Sequence, residues 1–374
     1  MKKIQMVDLH SQYNLIKGKV DSAINEVITT TSFINGPAVK DFAKELAEYN
    51  DVEHVIPCAN GTDALQLAMM ALDLQPGDEV IVPAFTYVAT AEVIALLRLK
   101  PIFVDVEPDT FNIDISGLEH AITEKTKAIV VVHLFGQCCN MDNILEISNK
   151  HRLYVIEDTA QAIGAKYTFE DGSVMRAGTM GTIGTTSFFP SKNLGCYGDG
   201  GALFTRDSNL AEKIRMVANH GQRVKYYHDI IGVNSRLDTL QAAILRVKLK
   251  ELDRYELNRN RVAAYYDEKL GSIENITLPK RFERSTHVFH QYTLKIEEGD
   301  RNELKDYLAN KGIPSMVYYP LPLHLQKAYI HYEFSKGDFP VSEQLCEIVL
   351  SLPVHTEFEE EQLDYITQTI IDYF

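Results

Sequence analysis

The chain has 374 residues of ordinary globular composition, enough for a large domain beside a smaller one and for a substantial buried core. Lys and Arg total 37 against 52 Asp and Glu, a net charge of −15, which excludes nonspecific nucleic-acid binding through a basic surface but leaves room for one local basic pocket. No apolar run reaches the roughly 18 residues of a membrane helix, the opening MKKIQMVDLHSQY has no apolar stretch of a secretory signal, and five cysteines without framework or metal spacing fit a reducing cytoplasm.

After a helical N-terminal segment, strand-like and helix-like segments alternate from about residue 53 to 220. HVIPCA, from His54, reads as a buried strand; TDALQLAMMALDL reads as a helix, with Thr62 as N-cap and Pro76-Gly77 past its end. EVIVPA is a strand and TAEVIALLRLK a helix. PIFVDV, KAIVVVHLF and LYVIED are three more strands, and TTSFF and GGALFT follow as a final pair. Continuous apolar strands alternating with helices predict an α/β fold, a largely parallel sheet covered on both faces. In such sheets ligands gather at the carboxyl ends of strands. TFEDGSVMRAG, with the turn signal Asp171-Gly172, reads as a surface hairpin.

The texture changes near residue 234, where NSRLDTLQAAILRVKLKELDRYELNRNRVAAYYDEKL reads as one long helical run. Its stripe Leu237, Leu240, Ile244 and Val247 suits core or dimer packing. HVFHQYTLKI reads as a strand, RNELKDYLANKGI as a helix, and the tail from Ser342 as helix, break, helix. The expected division is a large domain over 1–250 and a smaller α+β domain over 251–374.

TTSFFPSKNLGCYGDGGALFT holds one lysine, Lys192, followed by Gly195, Gly198, Gly200 and Gly201. A P-loop needs its lysine after the glycines, and a G-x-G-x-x-G fingerprint needs a helix behind it, so both nucleotide motifs fail. A partly desolvated lysine at a strand end instead has a lowered pKa and acts as a nucleophile toward an aldehyde. Pyridoxal phosphate would need four further things: an anion site, a carboxylate at its ring nitrogen, a flat group above the ring, and an entrance for substrate. CANGTDAL ends a strand and opens a helix whose first N–H groups make an anion site. Asp158 ends the strand of YVIEDTAQAIGA. Tyr87 of PAFTYVATA follows another strand and suits stacking. Ser187 precedes Lys192 by five residues and is placed to bond a phosphate.

CANGTDAL, PAFTYVATAEV, VIEDTAQAIGA, TSFFPSKNLGCYGDGGA, NHGQ and GVNSRLDTLQAAIL resemble the DegT/DnrJ/EryC1/StrS sugar aminotransferases, pyridoxal-phosphate enzymes of fold type I, over nearly the whole chain. The resemblance implies that Lys192 is the Schiff-base lysine, that Asp158 holds the pyridine nitrogen, and that Gln161 lies near the ring's phenolic oxygen. It makes Gly61, Thr62 and Ser187 phosphate contacts and Tyr87 the stacking aromatic. Asn234 matches a residue lent to the phosphate by a neighbouring subunit, which implies a homodimer with shared sites. On the substrate side Tyr318, Tyr319 and His324 of VYYPLPLH match a loop near the sugar, and Arg236 suits an anionic group. Several of these residues have ordinary readings as well. Asn234 is placed to cap the long helix, Arg236 to form a structural salt bridge, Tyr87 to pack in the core, and the tyrosines and His324 to pack in a loop. His220 and His290 receive no role.

The implied reaction moves an amino group from glutamate to a nucleotide-linked keto-sugar in the cytoplasm. The motifs look most like enzymes acting on UDP-2-acetamido-2-deoxy-3-oxo-glucuronate in bacterial surface-polysaccharide (O-antigen) synthesis. dTDP-3-keto-6-deoxyhexoses and 4-keto sugars are the alternatives. A different class, a cofactor-dependent sugar dehydratase, carries histidine at the lysine position, and this chain keeps Lys192. A regulator that only binds the cofactor would usually carry a DNA-binding domain, which this chain does not resemble.

Overall fold

The structure, a computed structural model, describes residues 2–374. Two helices open the chain, α1 (Leu9–Thr30) and α2 (Pro37–Asn50). Then come β1 (His54–Cys58), α3 (Gly61–Ala71), β2 (Glu79–Pro83), α4 (Ala89–Leu96), β3 (Lys100–Val104), α5 (Ile115–His120), β4 (Thr126–Val132), α6 (Met141–His151) and β5 (Tyr154–Asp158). A surface hairpin, β6 (Lys166–Thr168) and β7 (Val174–Arg176), turns at Asp171-Gly172 as the sequence predicts. β8 (Ile183–Ser187), β9 (Gly201–Thr205) and α7 (Ser208–Ala218) complete this part.

Seven strands form one sheet in the order β1-β9-β8-β5-β4-β2-β3. β9 runs antiparallel to both its neighbours, so the other six point the same way. The apolar strands are buried on both faces, and the two-residue period sorts their side chains. In β4, Ala128 and Val130 join the core under α3, α4 and α7, while Ile129 and Val131 join the core under α5 and α6. In β2, Val80 and Val82 go one way and Ile81 the other. Each fully buried Val, Leu or Ile contributes about 1.5–3 kcal/mol, so these alternating runs fix the register of the sheet.

A small exposed hairpin, β10 (Gln222–Val224) and β11 (Tyr227–His228), precedes α8 (Thr239–Leu249) and α9 (Leu252–Leu270). The long helical run expected here is thus two helices that break at Lys250-Glu251. α8 packs on α1 through Ile16, Val20 and Ile244, whereas α9 sends Val262, Ala263, Tyr266 and Leu270 into a different core. That second core is built on the antiparallel sheet of β12 (Ile276–Thr277), β13 (Tyr292–Ile296) and β14 (Val349–Leu352). α10 (Arg301–Asn310), α11 (Pro340–Ile348) and α12 (Glu360–Ile371) complete the chain.

Three local readings change. The cap of α3 is Asn60, not Thr62: Asn60 is extended and its Oδ1 accepts the Asp63 N–H at 2.8 Å, so the helix starts one residue before Thr62. The strand expected over HVFHQYTLKI is confined to Tyr292–Ile296, because the Val288 and Gln291 N–H groups donate instead to the Gly136 and Phe135 carbonyls after β4. The break in the tail contains β14, which follows α11 without a turn. Two crossings join the cores: Ile4 packs in the second one, and Leu323 and Tyr329 pack back in the first.

Candidate active site

The carboxyl ends of β1, β2, β4, β5 and β8 open on one edge of the large sheet, and Gly61, Thr62, Tyr87, Asp158, Gln161, Ser187 and Lys192 end or follow those strands. β1 runs through Asn60 into α3. The Gly61 and Thr62 N–H groups, first in that helix, have no partner among the described residues. Ser187 ends β8 directly beside them: a Cβ built on Gly61 would lie 2.7 Å from Ser187 Cβ and 3.3 Å from its Oγ. Gly201, opening β9, is packed as tightly, with Asn60 O 2.4 Å from where its Cβ would stand. Two spare N–H groups at a helix N-terminus and one hydroxyl, on a backbone that leaves no room for side chains, fit a phosphate.

Asp158 ends β5 and is buried, its carboxylate accepting one hydrogen bond among the described residues, from the Ala160 N–H at 3.0 Å. Burial pushes its carboxyl pKa up, against smaller opposing effects of the Ala160 N–H, Lys192 and His133. Lys192 lies in the loop after β8, not on the strand. Its backbone N–H closes a turn on Phe189 O at 2.8 Å, and its ammonium has no hydrogen bond or ion pair among the described residues. Burial lowers its pKa to about 8, with Asp158 acting the other way. A cationic ring nitrogen between the two would meet the charge that Asp158 lacks, so the pair fits a pyridinium ring joined to Lys192.

Gln161, in the turn after β5, has both ends of its amide engaged: Oε1 accepts the Phe135 N–H at 2.9 Å and Nε2 donates to Tyr319 Oη at 3.1 Å. Tyr87 is 57 % exposed, which disfavours the core reading, and its ring lies 6.5 Å from that of Tyr319. Tyr319 also packs edge-on to Phe85, 5.8 Å away. Tyr318 is half-buried beside it. His324 is not brought to the cluster: it is buried, its Nε2 is 3.1 Å from Glu343 Oε1, and its ring packs on Phe339. Asn234 is exposed and does not cap α8, whose cap position is Asp238. Arg236 is half-buried and forms no salt bridge or hydrogen bond among the described residues.

Some of the machinery escapes the sequence reading. Glu157, next to Asp158, points to the opposite face of β5 and is wholly buried. Its carboxylate accepts N–H bonds from Gly178 at 2.8 Å, Met180 at 2.7 Å and Gly181 at 2.5 Å. His133 Nδ1 accepts the Cys139 N–H at 3.1 Å, so its Nε2 carries the proton and donates to Glu157 Oε2 at 2.9 Å. The His133 N–H donates to Asp158 O at 3.1 Å, so this network backs the end of β5. On the other side, Asn193 Nδ2 donates to Val288 O at 2.9 Å, and its Oδ1 is 3.2 Å from His290 Nδ1. The available signal was the doubled acid of VIED and a histidine closing the apolar run VVVH.

The family model of DegT/DnrJ/EryC1/StrS aminotransferases matches residues 14–371. The chain is 46 % identical to a pleiotropic regulatory protein of Geobacillus stearothermophilus, over 99 % of this chain and 98 % of that one. It is 45 % identical to the UDP-2-acetamido-2-deoxy-3-oxo-D-glucuronate aminotransferase of Pseudomonas aeruginosa, over 97 % of this chain and 98 % of that one. A solved DegT DnrJ EryC1 StrS aminotransferase from Brucella abortus superposes with a TM-score of 0.94 at 42 % identity, covering 99 % of each chain. The architecture is that of the type I pyridoxal-phosphate enzymes, and related solved structures carry the cofactor in its PLP and PMP forms.

Proposed function

Because the chain belongs to the DegT/DnrJ/EryC1/StrS aminotransferase family, we propose that it moves an amino group from glutamate to UDP-2-acetamido-2-deoxy-3-oxo-glucuronate, in bacterial surface-polysaccharide synthesis. It is a pyridoxal-phosphate-dependent nucleotide-sugar aminotransferase; the sugar, the donor and the pathway are the proposed part. Support for the uronate comes from the name and 45 % identity of the Pseudomonas relative and from Arg236, a half-buried guanidinium with no carboxylate paired to it among the described residues. A bidentate pair with the sugar carboxylate would satisfy it.

The observation that carries the chemistry is the buried Lys192 amine, lowered to about 8 and electrostatically coupled to Asp158, on the same sheet edge as Gly61 and Ser187. At pH 7 about one lysine in ten is then a free amine, against fewer than one in a thousand at the ordinary value. Bound pyridoxal phosphate supplies an aldehyde that condenses with amines and a ring that draws electrons from the neighbouring carbon. Gly61, Thr62 and Ser187 would hold its phosphate, Asp158 its ring N–H, and Tyr87 one ring face. Lys192 Nζ would take a proton from the α-carbon of the bound amine and return it to the carbon on the other side of the amine nitrogen, first as base and then as acid. One site serves donor and acceptor in turn, so the kinetics are ping-pong.

Asn234, exposed and with no side-chain hydrogen bond among the described residues, supports a homodimer in which each subunit completes the other's phosphate site. The location we propose is the cytoplasm; no helix is long and apolar enough to cross a membrane among the described residues. The test is single turnover of the aminated enzyme against nucleotide keto-sugars with and without a C6 carboxylate. Preference for the uronate that disappears in Arg236→Ala supports the assignment. Equal use of both sugars by the unaltered enzyme sinks it.

A further inference from the structure

The loop from 317 to 322 is pinned at both ends. Met316 and Ser351 exchange backbone hydrogen bonds at 3.1 and 2.7 Å, and the Leu323 N–H donates to Ala84 O at 2.9 Å, at the end of β2. Tyr319 is thereby held inward, its ring on Phe85 and its hydroxyl on Gln161. The orientation of the Gln161 amide is not free: Oε1 must face the Phe135 N–H, which leaves Nε2 for Tyr319. One Nε2 hydrogen goes to the tyrosine oxygen. The other has no acceptor among the described residues.

We propose that Tyr319 is a positioning residue for the cofactor ring rather than a ligand of the sugar: it holds one Nε2 hydrogen of Gln161 and so aims the other at the ring's phenolic oxygen. This rests on the proposed function and on the family resemblance, which implies that Gln161 lies near the ring's phenolic oxygen. Burial, with Asp158 nearby, pushes the Tyr319 phenol pKa up, so the hydroxyl keeps its proton and stays neutral across the working pH range. A sugar ligand would need that oxygen turned toward the entrance, where Tyr87 lies exposed. Instead it accepts the Gln161 amide N–H, and the Tyr319 ring packs against those of Phe85 and Tyr87. The loop that borders the substrate entrance therefore also sets the hydrogen bonding of the ring.

The test compares Y319F, Q161A and the double variant as holoenzymes, reading the pH midpoint of the visible absorbance of the Lys192-linked chromophore, with kcat and KM for the keto-sugar. A hydrogen bond to the phenolic oxygen favours its deprotonated form, so loosening Gln161 raises the midpoint. Y319F is expected to raise it by about half a unit, a roughly three-fold change in proton affinity, in the same direction as Q161A and by less. The double variant should match Q161A alone, and KM for the sugar should stay within about two-fold while kcat falls. An unmoved midpoint in Y319F, with or without a raised KM, overturns the inference, as does a full additional shift in the double variant. If Q161A itself leaves the midpoint unmoved, the placement of the ring fails and takes this inference with it. The two failures differ in which single variant is silent.

Discussion

The chemistry proposed for Lys192 depends on burial without a hydrogen-bond or ion-pair partner among the described residues. A carboxylate in direct contact would return its pKa toward 10; here burial outweighs the pull of Asp158 and the amine titrates near 8. Capture of pyridoxal phosphate by the apo-enzyme should therefore rise about ten-fold between pH 7 and 9 and level off above 8, measured by stopped-flow absorbance. A rate flat across that range would mean that the amine is already free at pH 7. Lys192→Ala should lose borohydride-trappable cofactor and at least about 10³-fold in kcat, because nucleophile and proton carrier vanish together. Lys192 and Asp158 could be singled out in the sequence because chemistry dictates residue type and each lies at or shortly after a strand, Asp158 ending β5 and Lys192 in the loop that follows β8. Glu157, His133 and Asn193 were not. Their roles depend on backbone N–H groups of residues 178–181, on the Cys139 N–H and on the Val288 carbonyl, and a linear reading does not bring those groups together.

At the scale of single elements, α3 and α11 are each fixed by a polar side chain at the start, but from different distances. Asn60 caps α3 locally, and Gly61 allows the helix to touch Ser187. Gly61→Ala would drive a Cβ into Ser187 and part the helix from β8, so cofactor affinity should fall by about ten-fold or more. Equilibrium titration of the apo-protein checks this, and unchanged affinity would show that the cup can widen. α11 takes its cap from Asp105, after β3: the carboxylate accepts the Val341 N–H at 2.9 Å and the Ser342 N–H and hydroxyl at 2.8 and 2.6 Å. Asp105→Ala should cost about 1–2 kcal/mol in urea denaturation, the usual worth of a cap. The alternation of strands and helices was readable from hydrophobic period alone. β14 was not, because IVLSL continues the apolar texture of α11, and only pairing with β13 makes it a strand. The Asp105 cap is 237 positions from Ser342, beyond any local signal.

The two larger sheets, of seven and three strands, are joined by α9 and by segments that cross between cores. Arg259 of α9 marks the junction: buried, it donates to the carbonyls of Phe289 and Val354 at 3.0 and 2.9 Å, with no carboxylate paired to it among the described residues. Burial lowers its pKa to about 10. Arg259→Met would strand those carbonyls and is expected to cost about 3 kcal/mol, read from urea denaturation. The proposed dimer has its own test. Lys192→Ala and Asn234→Ala homodimers should each be impaired, while mixed and reannealed subunits should regain activity in the one hybrid site that keeps both side chains; no regain places Asn234 outside the shared site. The α/β class followed from the sequence because strand burial on two faces leaves a continuous apolar run. Which core a given apolar residue joins did not, as Ile4 and Tyr329 illustrate.

The amide of Gln362 reaches the backbone carbonyls of Lys2 and Lys3, Lys2 pairs with Glu359, and Ile4 fills the layer beneath α12. Chain 360 positions apart must meet before that layer is sealed. Closing so long a loop adds little free energy, since the entropy grows only logarithmically, but the search for it is slow. A protease pulse during refolding should keep cutting beyond residue 270 well after the central sheet has become resistant.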